Sequence, residues 1–400
     1  MQLKNERLVL FILGAVQFTH IVEFMVMMPL SNQLQKVFTI TPAQFGYLVS
    51  SDTLSAGVTG FLGVFFLDTI DRKKALFWIY VGFLIGTISC AVSQTYIMLL
   101  LSRVITGGFG GLIAAMVLAI VGDVIPEHRR GKALGVVMTA FSLSAVFGVP
   151  FSLYLTQFFS WQAPFYFVSV LGLPVLLGIL FMVPSISSHM NKNEKQSKLL
   201  PLKMIAKDDN VLLALAFTFV LMLGQFTIIP FIADYMESNA GFSRNEVMLM
   251  YTIGGGLTAI AMPVFGRLSD RFGKPKIFTI AGLLTAIPFY LVTHVVSSNV
   301  IVMLIISSLF FVLNSGRIVP ATAMVTAVVT NKSRGGFMSL RSSIQALGMS
   351  FSAFLSGLIV YKNADGQLMN YHYVGYIAIF ACILAVYLGR KLKMVNQTVG

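Results

Sequence analysis

Long apolar runs follow one another along almost the whole chain, separated by short polar segments. A helix that crosses a membrane needs about 20 consecutive, predominantly apolar residues. Twelve runs come close to or exceed this length, at residues 8–30, 44–67, 75–94, 97–122, 133–157, 163–184, 211–233, 247–266, 277–297, 300–329, 337–361 and 373–389. The pattern therefore predicts an all-α membrane protein with twelve transmembrane helices.

The polar segment at residues 185–210 is the one long polar stretch, and it divides the predicted spans six and six. It predicts a six-helix bundle at residues 1–184, a cytoplasmic linker, and a second six-helix bundle at residues 211–400. The linker carries several lysines, which favours a solvated segment that also touches anionic lipid headgroups.

Landmarks in the two halves recur at nearly one offset. Asp68 follows the second span, and Asp270 follows the eighth span 202 residues later. Arg130 and Arg334, each followed by glycine, open the fifth and eleventh spans at an offset of 204. Similar offsets in matching loops indicate a duplicated six-helix unit.

The composition supports a membrane protein. Hydrophobic residues make up 56% and charged residues 11% of the 400 residues, and the mean hydropathy is +0.84. Soluble domains have about 25% charged residues, so this chain has too few charges to cover a water-exposed surface. The net charge of +13 raises the alternative of nucleic-acid binding. That alternative fails because the basic residues recur in short loops between apolar runs.

The basic residues are unequally distributed between the two sides of the predicted bundle. Twenty-two of the 28 lysines and arginines lie in the N-terminal segment, the linker, the C-terminal segment and alternate loops. The opposite side has only Lys36, Arg244 and Lys362. Since cytoplasmic loops are enriched in Lys and Arg, we expect both termini and the linker in the cytoplasm.

Several kinds of chemistry have no signature in the sequence. Cys90 and Cys382 both lie inside apolar runs, which predicts core positions rather than a disulfide or a metal site. We find no nucleophile–base pattern, no metal-ligand spacing and no nucleotide-binding loop. We therefore expect no enzymatic activity, no cofactor, no metal and no ATP-driven transport.

The clearest motif follows the eighth span, where residues 266–274 read GRLSDRFGK. At every fixed position they resemble the signature loop of the major facilitator superfamily, G-x-L-x-D-R-x-G-R/K. The matching residues are Gly266, Leu268, Asp270, Arg271, Gly273 and Lys274. The loop after the second span resembles the signature less closely. Its matching residues are Asp68, Arg72, Lys73 and Leu76, whereas Val64, Thr69 and Asp71 replace Gly, Arg and Gly.

Two further segments resemble motifs of the same superfamily. Arg103 followed by Gly107 in span 4 is similar to its second motif. Gly148 and Pro150 in span 5 resemble its antiporter motif, with one extra Val between them. The Gly148–Pro150 segment and residues 23–30 are most similar to the bacterial drug:proton antiporter and sugar-efflux branch, which more often has Asp where this chain has Glu23. The resemblance covers the whole chain and implies two parallel six-helix repeats, alternating access, a monomer and a location in a bacterial inner membrane.

The signature loops also have a physical role. In a short turn between crowded helices, glycine permits close approach and positive φ. A carboxylate there can accept hydrogen bonds from the free N–H groups at a helix N-terminus. We expect Asp68 to reach the start of span 11 and Asp270 the start of span 5, as gates that break and re-form. The alternative is that these loops fix only topology and packing.

Five ionisable residues lie inside the predicted spans: Glu23, Asp52, Arg103, Arg317 and Arg341. A charged residue at the membrane centre costs about 2.5–3.5 kcal/mol, so each needs a partner or a function. Counted at about 1.5 Å per residue, the first three all lie roughly 9–12 Å below the outer surface. They belong to one predicted bundle, so they can meet.

Two carboxylates and one guanidinium have unequal numbers of negative and positive charges. We predict that Arg103 pairs with Asp52 and that Glu23, buried in a low dielectric, exchanges the proton that drives transport. His20 is three residues before Glu23 and shares its helix face, as either a proton relay or a packing residue. The alternative is an ion-pair network with a purely structural role.

Arg317 has no acidic residue deep in the spans of its own half, and Asn314 shares its helix face. We hypothesise that Arg317 meets an anionic or strongly hydrogen-bonding substrate group. The alternative is that Asn314 and backbone carbonyls satisfy it. Arg341 is expected near the cytoplasmic face, where it snorkels or pairs with a loop of the first half. Weaker candidates for the substrate cavity are Gln17, Gln225 and Gln345.

These observations favour proton-coupled efflux, in which a proton moves inward while a small amphiphilic drug-like compound or metabolite leaves. One alternative is export or import of an anionic metabolite or siderophore-like polycarboxylate held by Arg317. An alternative of another class is a non-transporting membrane sensor or scaffold, which would not need ionisable residues deep in both halves. The expected partners are a small-molecule substrate, protons and membrane lipid.

Overall fold

The computed structural model of the chain describes residues 6–67, 70–187, 208–295, 297, 299–329 and 334–394. The part before the linker is helical throughout these residues except for short turns. Its elements are α1 (Glu6–Val26), α2 (Ser31–Phe38), α3 (Pro42–Phe66), α4 (Arg72–Ala91), α5 (Tyr96–Val124), α6 (Glu127–Leu143), a π-helical turn (Ser144–Gly148), α7 (Val149–Phe158) and α8 (Ala163–Met182).

The part after the linker adds seven helices and one small hairpin among the described residues. Its elements are α9 (Asp209–Phe226), α10 (Ile229–Ser238), α11 (Arg244–Phe272), α12 (Lys274–His294), α13 (Val300–Thr326), α14 (Arg334–Ile359), β1 (Tyr361–Lys362), β2 (Leu368–Met369) and α15 (Tyr371–Lys391). The two strands pair antiparallel, with Tyr361 opposite Met369.

Eleven helical segments of the described chain are long and apolar enough to cross a membrane. The prediction of an all-α, multi-pass membrane protein is therefore confirmed. The second predicted span corresponds to α3, which is 25 residues long.

Several helix ends lie away from the predicted span ends. The first span was expected to reach residue 30, but α1 ends at Val26, and a turn at residues 27–30 leads into the polar helix α2. Met27, Met28 and Leu30 are buried in that turn, so hydropathy alone did not separate them from the helix. The eighth span was expected to end at residue 266, but α11 continues to Phe272.

The fifth predicted span contains a helical irregularity at the antiporter-like motif. The π-helical turn Ser144–Gly148 precedes Pro150, which lacks the N–H that a regular helix would use at that position. A wider π turn accommodates such a missing donor. Gly148 faces Val22 of α1 so closely that any Cβ at position 148 would overlap the Val22 side chain. The motif therefore sets how this helix packs on α1.

The described residues form two compact units. The first contains residues 6–27 and 51–187, and the second contains residues 28–50 and 208–394, apart from the gaps given above. In the first unit an apolar core lies between α1, α4, α5 and α8, with Leu13, Tyr80, Phe83, Ile113 and Val168 fully buried. In the second unit α12 packs on α13 and α15, and α9 packs on α14 and α15. The segment Met28–Ser50 thus groups with the C-terminal helices, whereas the rest of the N-terminal part does not.

Candidate functional site

A buried cluster of one arginine and two carboxylates lies in the first unit. Arg103 of α5 is 0% exposed, and its Nη1 donates to Oε1 of Glu23 on α1. Its Nη2 lies 3.1 Å from Oδ1 of Asp52 on α3. Glu23 and Asp52 are 1% and 5% exposed. We call Glu23, Asp52 and Arg103 the acid–arginine cluster.

Close packing of α3 on α5 holds this cluster in place. Gly107 lies one helical turn after Arg103, and any Cβ there would overlap the backbone of Asp52. Ser55 Oγ donates to Val104 O at 2.7 Å, one turn further along α3. The absence of a side chain at position 107 therefore brings the Asp52 carboxylate within reach of the guanidinium.

The geometry differs from the predicted pairing in two respects. Arg103 contacts both carboxylates rather than Asp52 alone, and its hydrogen bond is to Glu23. Glu23 also lies three residues before the end of α1, not about seven residues before the end of a span. Glu23 is buried at this position as well. With both carboxylates ionised the cluster has a net charge of −1, and one added proton makes it neutral.

His20 packs rather than bonds. Its ring meets Phe83 edge-on, with centroids 5.8 Å apart, and its Nε2 faces Gly110. Its Nδ1 has no hydrogen-bond partner among the described residues. The role of His20 as a relay therefore stays a prediction, and the contacts favour the packing alternative.

Arg317 of α13 is fully buried inside the second unit. Its Nε donates to Asn314 Oδ1 at 3.1 Å, and its Nη1 donates to Cys382 Sγ at 3.3 Å. Its guanidinium carbon lies 5.0 Å from the centroid of the Phe289 ring. Within the described residues no carboxylate pairs with Arg317, and its Nη2 has no hydrogen-bond partner. A cation with neutral neighbours alone is an uncommon arrangement in an apolar interior.

The remaining predicted cavity residues lie on three helices, α1, α9 and α14. Gln17 is buried, Gln225 and Gln345 are half-buried, and neither Gln17 Oε1 nor Gln225 Oε1 has a partner among the described residues. Arg341 is buried, and its expected snorkelling or pairing with a first-half loop stays a prediction. It is 8% exposed, and its Nη2 donates to Thr322 Oγ1 at 3.1 Å. The accepting hydroxyl belongs to Thr322 on another helix, α13, and the sequence did not indicate this hydrogen bond.

The loop after α3 forms a compact polar contact. Arg72 is buried, pairs with Asp123 at 2.8 Å and donates to Leu67 O. Burial alone would raise the pKa of Asp71, but hydrogen bonds from Ser185 Oγ and from backbone amides outweigh it and hold that pKa below its usual value. Asp68 lies outside the described residues, so its predicted gating contact stays a prediction.

The signature residues after the eighth span are arranged differently from a loop. Gly266, Asp270 and Arg271 lie on α11, and only Gly273, with φ of 92°, makes the turn to Lys274. Glycine is needed at position 273, because few other residues adopt that φ. Asp270 and Lys73 have exposed or half-buried side chains. The predicted contact of Asp270 with the start of span 5 stays a prediction.

The sequence did not indicate a buried ion pair in the second unit. Asp234 of α10 is 0% exposed and pairs with Lys362 Nζ at 2.9 Å. Its other oxygen accepts a hydrogen bond from Gln35 Nε2 of α2 at 2.7 Å. Lys362 also donates to Asn32 Oδ1 at 2.9 Å, and Asn32 Nδ2 donates to Glu237 Oε2 at 2.6 Å. We call these five residues the Asp234 cluster.

The Asp234 cluster joins segments that are distant in sequence. Lys362 reaches it because the β1–β2 hairpin is held by Asn239, which donates to Leu368 O at 3.0 Å and accepts from Leu368 N at 2.9 Å. In the sequence these polar residues lie at the ends of predicted spans, where solvent-exposed polar residues are common. No local pattern marks them, so only the tertiary fold shows that they meet.

We expect Asp234→Asn to lower the free energy of unfolding by about 2–3 kcal/mol, because Lys362 then loses its carboxylate partner in a largely buried setting. Thermal unfolding of the purified protein measures this. The exchanged pair Asp234→Lys with Lys362→Asp is the matched control and should recover part of the loss. Equal stability of wild type and Asp234→Asn would show that the ion pair does not hold this end of the unit.

Comparison with known proteins gives a consistent family match. The family model of the Major Facilitator Superfamily matches residues 11–223 and 214–397. An uncharacterized MFS-type transporter, YbcL of Bacillus subtilis (strain 168), is 23% identical over 399 residues, covering 97% of this chain and 98% of the relative. The crystal structure of a D-xylose-proton symporter matches with a TM-score of 0.77 at 17% identity, covering 98% of this chain and 99% of that one. The nucleoside transporter NupG matches with a TM-score of 0.75 at 15% identity, covering 97% of this chain and 100% of that one.

Proposed function

The chain belongs to the Major Facilitator Superfamily, and from that premise we propose that this secondary transporter couples the inward movement of a proton to the export of a small amphiphilic compound. The observation that carries the proposal is the acid–arginine cluster. Two carboxylates share one guanidinium where the three side chains are 0–5% exposed. Ionisable groups inside membrane spans are expensive and typically mark ion or proton pathways.

The charge balance of the cluster suits proton exchange. One proton changes its net charge from −1 to zero, and a buried site favours the neutral state. The two carboxylates contact the same arginine, so the proton belongs to the pair rather than to either residue alone. We propose that Glu23 takes it up, because Glu23 lies near the end of α1 whereas Asp52 lies in the middle of α3.

The Asp234 cluster joins a segment that precedes the linker to segments that follow it. It bonds α2, which lies between the first two predicted spans, to α10 and to the hairpin before α15. Any movement that separates α2 from α10 removes an ion-paired network. We propose that this network favours one state of the alternating-access cycle and that loss of it shifts the population toward the other.

Arg317 supports a second candidate function. Its charge is buried among Asn314, Cys382 and Phe289. Among the described residues, no carboxylate forms an ion pair with it. An anionic group on the substrate would supply the missing charge. The second candidate is therefore transport of an anionic metabolite, inward or outward.

Proton movement in inverted vesicles with an acid interior tests both candidates. We expect amphiphilic compounds from a panel of cationic, neutral and anionic molecules to make wild-type vesicles release protons, followed by a pH-sensitive dye. The same panel with Arg317→Gln separates the candidates. If the response to anions alone is lost in Arg317→Gln, the anionic candidate replaces the amphiphile. If no compound moves protons in the wild type, proton-coupled export is wrong.

A further inference from the structure

Two histidines come together where α12 ends and α15 begins, away from the sites described above. The ring centroids of His294 and His372 are 6.0 Å apart, with an interplanar angle of 65°. The helices approach closely here because any Cβ at Gly375 would overlap Thr293 Oγ1. The Tyr376 ring contacts both, at 4.9 Å from His294 and 6.2 Å from His372. The pairing is therefore built by the helix packing.

Hydrogen bonding assigns the proton of neutral His294 to one nitrogen. Nδ1 lies 3.0 Å from Tyr290 O and 3.0 Å from Thr293 Oγ1. Tyr290 O only accepts, and the Thr293 hydroxyl donates its own proton to Phe289 O at 2.8 Å. Both neighbours therefore accept from Nδ1–H, which leaves a free lone pair on Nε2.

The lone pair on His294 Nε2 has nothing to bind in the structure. This nitrogen is buried and has no hydrogen-bond partner in the described part of the chain. A buried polar atom without a partner is uncommon and marks a position that water, a proton or an ion would satisfy. A histidine whose Nδ1–H donates to a backbone carbonyl while Nε2 stays free has the arrangement of a metal-ligating imidazole.

We propose that His294 and His372 bind one transition-metal ion of the Zn²⁺ type, with water completing its coordination. A metal–nitrogen distance of about 2.0–2.1 Å places two imidazole centroids on one tetrahedral ion about 5 Å apart. The observed separation of 6.0 Å is therefore about 1 Å longer than in the metal-bound arrangement. Imidazole nitrogen suits Zn²⁺, Cu²⁺ and Ni²⁺ better than Mg²⁺ or Ca²⁺. No third His, Cys, Asp or Glu joins the pair among the described residues, so the site binds moderately and reversibly.

Bound metal would tie the end of α12 to the start of α15. By the predicted topology this end faces away from the cytoplasm, where the ion is reached without crossing the membrane. The proposal does not depend on which compound is transported or on the acid–arginine cluster.

Zinc titration of the purified, chelator-treated protein tests the site. We expect isothermal calorimetry to give one Zn²⁺ per chain, and we expect His294→Gln and His372→Gln each to weaken binding by at least about tenfold. His128→Gln removes a histidine on α6, and Tyr376→Phe keeps the ring beside the pair. Both are matched controls that should bind Zn²⁺ as the wild type does.

A second measurement guards against variants that fold poorly. In the wild type, Zn²⁺ should protect the half-buried His372 from modification by diethyl pyrocarbonate, read by peptide mass spectrometry, while His128 gains no protection. The proposal is overturned if the wild type shows no saturable Zn²⁺ binding. It is also overturned if both His→Gln variants keep wild-type affinity, or if Zn²⁺ leaves the modification of His372 unchanged.

Discussion

Glu23→Gln is expected to reduce substrate-driven proton release to the background of vesicles that lack the protein, while the fold remains intact. Glutamine has nearly the size of glutamate but carries no exchangeable acidic proton. The remaining Asp52–Arg103 pair is electrically balanced, so the variant holds its buried site permanently in the neutral state. We expect its free energy of unfolding to stay within about 1 kcal/mol of the wild type, because no buried charge is left unpaired.

The measurement compares two processes in the same vesicles. Proton release measures the proton-coupled reaction. Exchange of labelled substrate without a proton gradient measures movement of the substrate alone. Glu23→Gln should lose the first and keep the second. Asp52→Asn is the matched control at the other carboxylate. If Asp52→Asn loses coupling while Glu23→Gln keeps it, Asp52 is the proton site, and if both keep it the cluster is structural.

The membrane fold was predictable because it depends on quantities that the sequence carries locally. A run of about 20 apolar residues is a span wherever it occurs, and the spacing of Asp68 and Asp270 indicated the duplication. The depth argument also used only local counting, and it placed Glu23, Asp52 and Arg103 at similar depths. Their contact in the structure agrees with the expectation that a buried charge in a membrane span needs a partner of opposite charge.

The rest of the site depends on which helix faces meet, and no local pattern contains that information. Gly107 is one of many glycines in the spans, and only its contact with Asp52 shows that it positions the carboxylate. Asp234 and Lys362 lie in terminal turns and a hairpin, where polar residues are common. The end of α1 was misplaced because the residues of the following turn are as apolar as the helix. Hydropathy indicates which residues tend to be buried. It does not distinguish buried residues in a helix from buried residues in a turn.

Removal of the arginine of the same cluster is expected to have the largest effect on stability. Arg103→Gln leaves two carboxylates close together in an environment where they are 1% and 5% exposed. Breaking a buried ion pair by removing one partner costs about 3–5 kcal/mol, because the remaining charge is uncompensated. We expect a loss of this size in the free energy of unfolding, and we expect transport to be lost with it.

Chemical unfolding of the purified variants measures this loss, and two comparisons isolate its cause. Arg129→Gln removes an arginine from an exposed pair with Glu6, in which the side chains are 45% and 26% exposed, and should cost less than about 1 kcal/mol. The triple variant Arg103→Gln, Glu23→Gln, Asp52→Asn has the same loss of arginine but no buried charge. It should recover most of the stability without recovering proton coupling, because a neutral cluster keeps its packing and has no group that exchanges a proton. If the triple variant is as unstable as Arg103→Gln, the arginine acts through its packing rather than its charge, and the electrostatic account of the cluster is wrong.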